Sequence, residues 1–85
     1  MHPSDASVVD ELGAILDQIA PDADRTTLSL SSSFTDDLGL DRLALVQLSL
    51  GIEERFGFPV PDADLVALRT VGDAVAYVEH RLATL

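Results

Sequence analysis

The 85-residue sequence is 47% hydrophobic with three Phe, one Tyr and no Trp, and its 15 acidic residues against five basic ones give a formal net charge of -10. A chain of this length supports a small aliphatic core and no cleft between lobes, so residues 1–85 are expected to form one domain. The charge repels phosphate backbones and anionic lipid, which sets aside nucleic acid and membrane surfaces as partners, while the absence of Cys and Lys excludes disulfides, thiolate catalysis and lysine chemistry.

Met1-His2-Pro3-Ser4-Asp5 has neither a basic region nor an apolar run of signal-peptide length, and no segment approaches a membrane span, so a cytoplasmic location is expected. The first helix is predicted from a cap at Ser4 or Asp5 to about Ala20, where Pro21 stops it. Its buried stripe reads Val8, Leu12, Ile15 and Ile19, flanked by Val9 and Leu16. Pro21 to Leu40 has loop composition. A structureless loop of about 20 residues is unusual in a small domain, so Leu28, Leu30, Phe34 and Leu38 are expected to pin it.

Asp41 then caps a second helix that runs to Phe56. Two apolar rows follow the cap, Leu45, Leu48, Ile52 and Phe56 beside Leu43, Val46 and Leu50, and both are expected to be buried with this helix at the centre of the domain. Gly57 ends it, and Pro59 and Pro61 stiffen the exit. Asp62 is expected to cap a short helical turn with Leu65, Val66 and Leu68 inward. Thr70 and Asp73 form a capping-box pattern ahead of a last helix with Val71, Val75, Val78 and Leu82 on one face. Three longer helices and one short one predict a small all-α bundle.

Candidate chemistry is sparse. His2 lies near the start and His80 near the end of the last helix, neither beside a nucleophile, and Ser31, Ser32 and Ser33 have no base at a recognisable spacing. Asp36, Asp37 and Asp41 lack the alternating ligands and closing Glu of a calcium loop, so no metal site is expected. With no nucleophile-base pair, catalytic residues are expected to be none and the chain is expected not to be an enzyme. Gly39, just before the cap, gives the loop freedom at positive φ and presents the free amides of the helix N-terminus, a natural place for a phosphate.

Phe34-Thr35-Asp36-Asp37-Leu38-Gly39-Leu40-Asp41-Arg42-Leu43, Glu53-Glu54-Arg55-Phe56-Gly57, Val60-Pro61-Asp62 and Thr70 through Val78 together resemble an acyl carrier protein of the fatty-acid and polyketide type. The resemblance is ungapped from Ser33 to Val78 and looser over the first helix. It implies a four-helix bundle and a carrier of acyl thioesters on a phosphopantetheine arm, esterified to the serine of an Asp-Ser-Leu motif. Here that motif reads Asp41-Arg42-Leu43, and Ser33 and Ser49 do not match the modified position.

This departure implies no cofactor and a non-catalytic, non-carrying interaction or scaffolding subunit of a fatty-acid, polyketide or related system. Its partner would be a synthase or transferase that reads the carrier fold. The alternative is a genuine carrier whose serine is lost by engineering or variation, with phosphopantetheine as its group. Partner docking is expected on Asp41, Arg42, Leu43, Ala44, Gln47, Glu53 and Glu54. No acid lies between Arg42 and Ile52, which suits a persistent apolar contact better than a salt-sensitive encounter.

Overall fold

Residues with helical periodicity become helix wherever a cap and a stop bracket them. The computed structural model describes residues 5–21 and 29–84. Among these are four helices and no strand: α1 (Asp5–Ile19), α2 (Arg42–Phe56), α3 (Asp62–Leu65) and α4 (Val71–Thr84). The cap expected at Ser4 or Asp5 and the pin expected at Leu28 rest on side chains outside the described set.

The helix stops follow the chemistry of their residues. Gly57 takes φ 83, the left-handed region that costs glycine nothing, and its N–H donates to the Glu53 carbonyl at 2.9 Å. The expected capping box opens α4: the Asp73 N–H donates to Thr70 Oγ1 at 3.0 Å, and the Thr70 N–H donates to Asp73 Oδ2 at 3.2 Å. At α3 the expectation is shifted by one residue. Pro61 occupies the cap position with no side-chain bond, and Asp62 is the first helical residue.

One apolar cluster holds the helices together. Val8, Leu12, Ile15 and Leu16 of α1 meet Leu48 and Ile52 of α2 and Val71, Ala74, Val75 and Val78 of α4, with Phe34, Leu40 and Phe58 sealing the ends. Burial of each large aliphatic side chain is worth about 1.5–3 kcal/mol, so these positions supply most of the drive to fold. α1 packs on both α2 and α4, and α2 also touches α3 and α4.

The second helix is less enclosed than its sequence suggests. Leu48 and Ile52 are buried, and Ala44, Leu45 and Phe56 pack partly buried against the core, but Leu43, Val46 and Leu50 are exposed. Among the described residues no element lies on its outer side, so the second apolar row stays in water. Val66, expected inward, is 74% exposed because the α3 turn points Leu65 and Leu68 to the core instead.

The long connection is pinned mainly through its backbone. Phe34 is buried and Leu38 half-buried as expected, but the Leu30 side chain is exposed. Its carbonyl accepts instead from the Gly72 N–H at 2.7 Å, while the Ser32 carbonyl accepts from Val71 N–H at 3.0 Å and the Phe34 N–H donates to the Arg69 carbonyl at 2.9 Å. Gly72 permits this approach, since a Cβ there would lie 2.8 Å from the Leu30 carbonyl oxygen. The loop is thus laced to the start of α4.

Candidate functional site at the start of α2

The loop reaches α2 through a hydrogen-bonded turn. The Ser33 N–H donates to Asp37 Oδ2 at 2.6 Å, and the Asp36 N–H donates to Ser33 Oγ at 3.1 Å. The Leu40 N–H returns to the Phe34 carbonyl at 2.8 Å, burying Leu40. Gly39 between them takes φ 68, as the sharp entry requires.

Asp41 is extended at φ -88 and ψ -178, and its Oδ1 accepts from the Ala44 N–H at 2.8 Å while its carbonyl accepts from the Leu45 N–H at 3.0 Å. It is the cap that the sequence predicts. Arg42 is the first helical residue, exposed, with no hydrogen bond or ion pair to another described residue, and the first turn of α2 holds no acid.

Beside this turn is a cavity of about 290 Å³ bordered by Ile19, Leu38, Leu40, Leu43, Ala44 and Gln47. Of the expected docking residues, Asp41, Arg42, Leu43, Ala44 and Gln47 therefore gather around one end of α2. Glu53 and Glu54 are exposed at its other end. Val46 and Leu50 also lie open on this helix, and sequence reasoning assigned them to the core. The available signal was excess: α2 has more apolar residues than a helix with one buried side can hide.

At residue 42, the position that the resemblance implies for attachment, the first residue of α2 carries a guanidinium and no hydroxyl. A phosphodiester there would need an oxygen nucleophile on the side chain, and a guanidinium has none. Ser49 does not substitute, since it lies two turns on and its hydroxyl donates to the Val46 carbonyl at 2.6 Å; Ser33 Oγ is engaged within the loop. The residues present do not fit covalent attachment of the arm at this turn.

A family model described as a phosphopantetheine attachment site matches residues 6–78. The chain is 37% identical over 79 residues to the acyl carrier protein of Rhodococcus erythropolis, covering 93% of this chain and 86% of that protein. It is 34% identical over 79 residues to the meromycolate extension acyl carrier protein of Mycolicibacterium aurum, with 93% and 80% coverage. These comparisons favour the carrier reading over a scaffolding one, because the relatives are carriers by name. Carrier proteins are non-catalytic and work by meeting biosynthetic enzymes, and the family's prosthetic group is phosphopantetheine. The described helices, the caps of α2 and α4 and the extent of the match make the conclusion plain: this chain belongs to the phosphopantetheine attachment site family, as a protein of the acyl-carrier type.

Proposed function

We propose that this chain is an acyl-carrier scaffold of fatty-acid biosynthesis, of the kind that extends long acyl chains, in which the attachment site is intact except for residue 42. The observation that supports this is the entry to α2: Gly39 at φ 68, the Asp41 cap and a cavity beside them all lie at the turn that leads into Arg42. The name of the Mycolicibacterium aurum relative suggests acyl extension as the process.

The test is one substitution. Arg42→Ser, incubated with coenzyme A and a broad-specificity phosphopantetheinyl transferase, is expected to gain the mass of one phosphopantetheine, and the Arg42 chain is expected to gain none. An Arg42→Ser chain that folds but is ignored by the transferase would sink the carrier reading.

A second reading has its own support. Arg42 is unpaired among the described residues, and α2 carries no acid from Arg42 to Ile52, so the same fold would serve as an arm-less docking subunit for a synthase or transferase. That reading predicts stable capture of such an enzyme by the Arg42 chain. Weaker capture by Arg42→Ser would support it, and equal capture would count against it.

A further inference from the structure

We propose that residues 62–68, which contain α3, open as one unit while the rest of the fold stays closed, and that the Tyr77 hydroxyl is the latch that sets how often they do. The observation that carries this is where the segment's hydrogen bonds go. The amides of Asp64, Leu65, Val66, Ala67 and Leu68 all donate to carbonyls of residues 61–65, so the backbone bonds of the segment close on itself or on Pro61. Among the described residues a single hydrogen bond joins it to another element, from the Tyr77 hydroxyl of α4 to Asp64 Oδ2 at 2.7 Å.

Both neighbours of the segment are fastened by bonds that do not pass through it. On the entry side the Gly57 N–H closes α2 on the Glu53 carbonyl, and Phe58 is buried. On the exit side the Arg69 N–H donates to Asp73 Oδ2 at 3.2 Å, and the Arg69 carbonyl accepts from the Phe34 N–H at 2.9 Å. The segment can therefore lift while α2 and α4 keep their ends.

What holds it down is small. α3 lies close to the backbone of α2 and of no other helix. Leu65 and Leu68 are buried, whereas Val66 is 74% exposed and Ala63 and Ala67 face water. Two apolar anchors and one side-chain bond are few against the whole core, which is the condition for opening below the free energy of global unfolding. Arg81 orients the latch. Its Nη1 donates to the Tyr77 hydroxyl at 3.3 Å, and a guanidinium can only donate, so the hydroxyl gives its own proton to Asp64. Opening breaks that bond and brings Leu65 and Leu68 into water beside Val66, an apolar patch that the closed fold hides.

This opening does not rest on the carrier reading, and amide hydrogen exchange of the full chain at rising urea below the unfolding transition tests it separately. Relative to their unfolded rates, the amides of Val66, Ala67 and Leu68 are expected to exchange faster than those of Leu48, Ile52, Val75 and Val78. Their urea dependence is expected to be shallower, because less surface is exposed when the segment opens alone. Tyr77→Phe is expected to speed the three amides about fivefold, the effect of losing one hydrogen bond. Global unfolding breaks the same bond, so it is the urea slope that identifies the separate opening. Asp64→Ala removes the acceptor, and adding it to Tyr77→Phe is expected to change little further, since both act through one bond. Equal slopes for the two sets of amides would overturn the separate opening. Amides of residues 66–68 that ignore Tyr77→Phe, or fully additive effects of the two substitutions, would overturn the latch.

Discussion

Asp41 and Arg42 are neighbours with opposite effects on α2. The Asp41 carboxylate accepts from the Ala44 N–H and sits at the positive end of the helix dipole, whereas the Arg42 guanidinium brings positive charge to the same end. Asp41→Ala is expected to cost about 1 kcal/mol of stability in urea unfolding, with Asp41→Asn recovering most of it because the acceptor survives. Equal losses for the two variants would show that charge, and not capping, is what Asp41 contributes. Gly51 raises a different contest at the contact between α1 and α2. A Cβ there would lie 2.7 Å from Cγ2 of Ile15, a methyl on the stiff branch of a side chain that is 2% exposed. Alanine gains about 1 kcal/mol of helix propensity, but overpacking costs about 1–3 kcal/mol, so Gly51→Ala is expected to be net destabilising. A more stable variant would mean that α1 yields easily.

At the scale of elements, α3 is the piece held least firmly. It has four residues, touches α2, and is tied to α4 by Tyr77, whose hydroxyl donates to Asp64 Oδ2 at 2.7 Å. Arg81 completes the group: its Nη1 donates to the Tyr77 hydroxyl at 3.3 Å and its guanidinium lies 4.8 Å from the centre of the Phe58 ring. Burial raises the Tyr77 pKa above the ordinary 10.0, the bond to Asp64 and its charge add to the rise, and Arg81 opposes it. The folded chain therefore holds this proton to higher pH than the unfolded chain. Its contribution is fully present below pH 10.0 and is lost as pH rises through the folded value. Tyr77→Phe is expected to cost about 1 kcal/mol at neutral pH and to flatten the alkaline decline, read by urea unfolding across that range. Because Tyr77 is the sole tyrosine and there is no Trp, tyrosinate absorbance reports the same group directly.

Much of this architecture was legible because it is local. The Asp41 cap, the Gly57 stop, the Thr70 and Asp73 box and the α1 stripe each depend on residues within one or two turns, and so do the four helices. The exposed faces of Leu43, Val46, Leu50 and Val66 were not legible, since whether a row is covered depends on which elements arrive from far along the chain. The same holds for Leu30, whose backbone and not its side chain ties the loop to Gly72. At residue 42 the sequence shows a guanidinium where the resemblance expects a hydroxyl, and coordinates add only that this side chain is exposed at the start of α2. The Tyr77, Asp64 and Arg81 group left no signature, because its members are 13 and four residues apart and ordinary in composition.

For the whole molecule the dominant long-range term is its own charge. Folding draws a chain of net charge -10 into a radius of gyration of 11.8 Å, against about 29 Å expected for an unfolded chain of this length. Like charges are thus brought closer, and among the described residues the pair of Arg55 Nη1 with Glu11 Oε2 at 2.8 Å offsets little, since both side chains are substantially exposed, where such a pair is worth under about 1 kcal/mol. Screening should therefore favour the folded state. Raising NaCl from about 0.01 M to 0.15 M shortens the Debye length from roughly 30 Å to 8 Å, below the radius of the fold. The thermal midpoint is expected to rise, and each 1 kcal/mol gained moves it by about 4–8 °C for a domain of this size. Chloride salts of sodium and potassium should act alike, which separates screening from ion-specific effects. A midpoint that falls as salt is added would mean that attractive pairs outweigh the net repulsion, and that the acidic surface stabilises this fold instead of straining it.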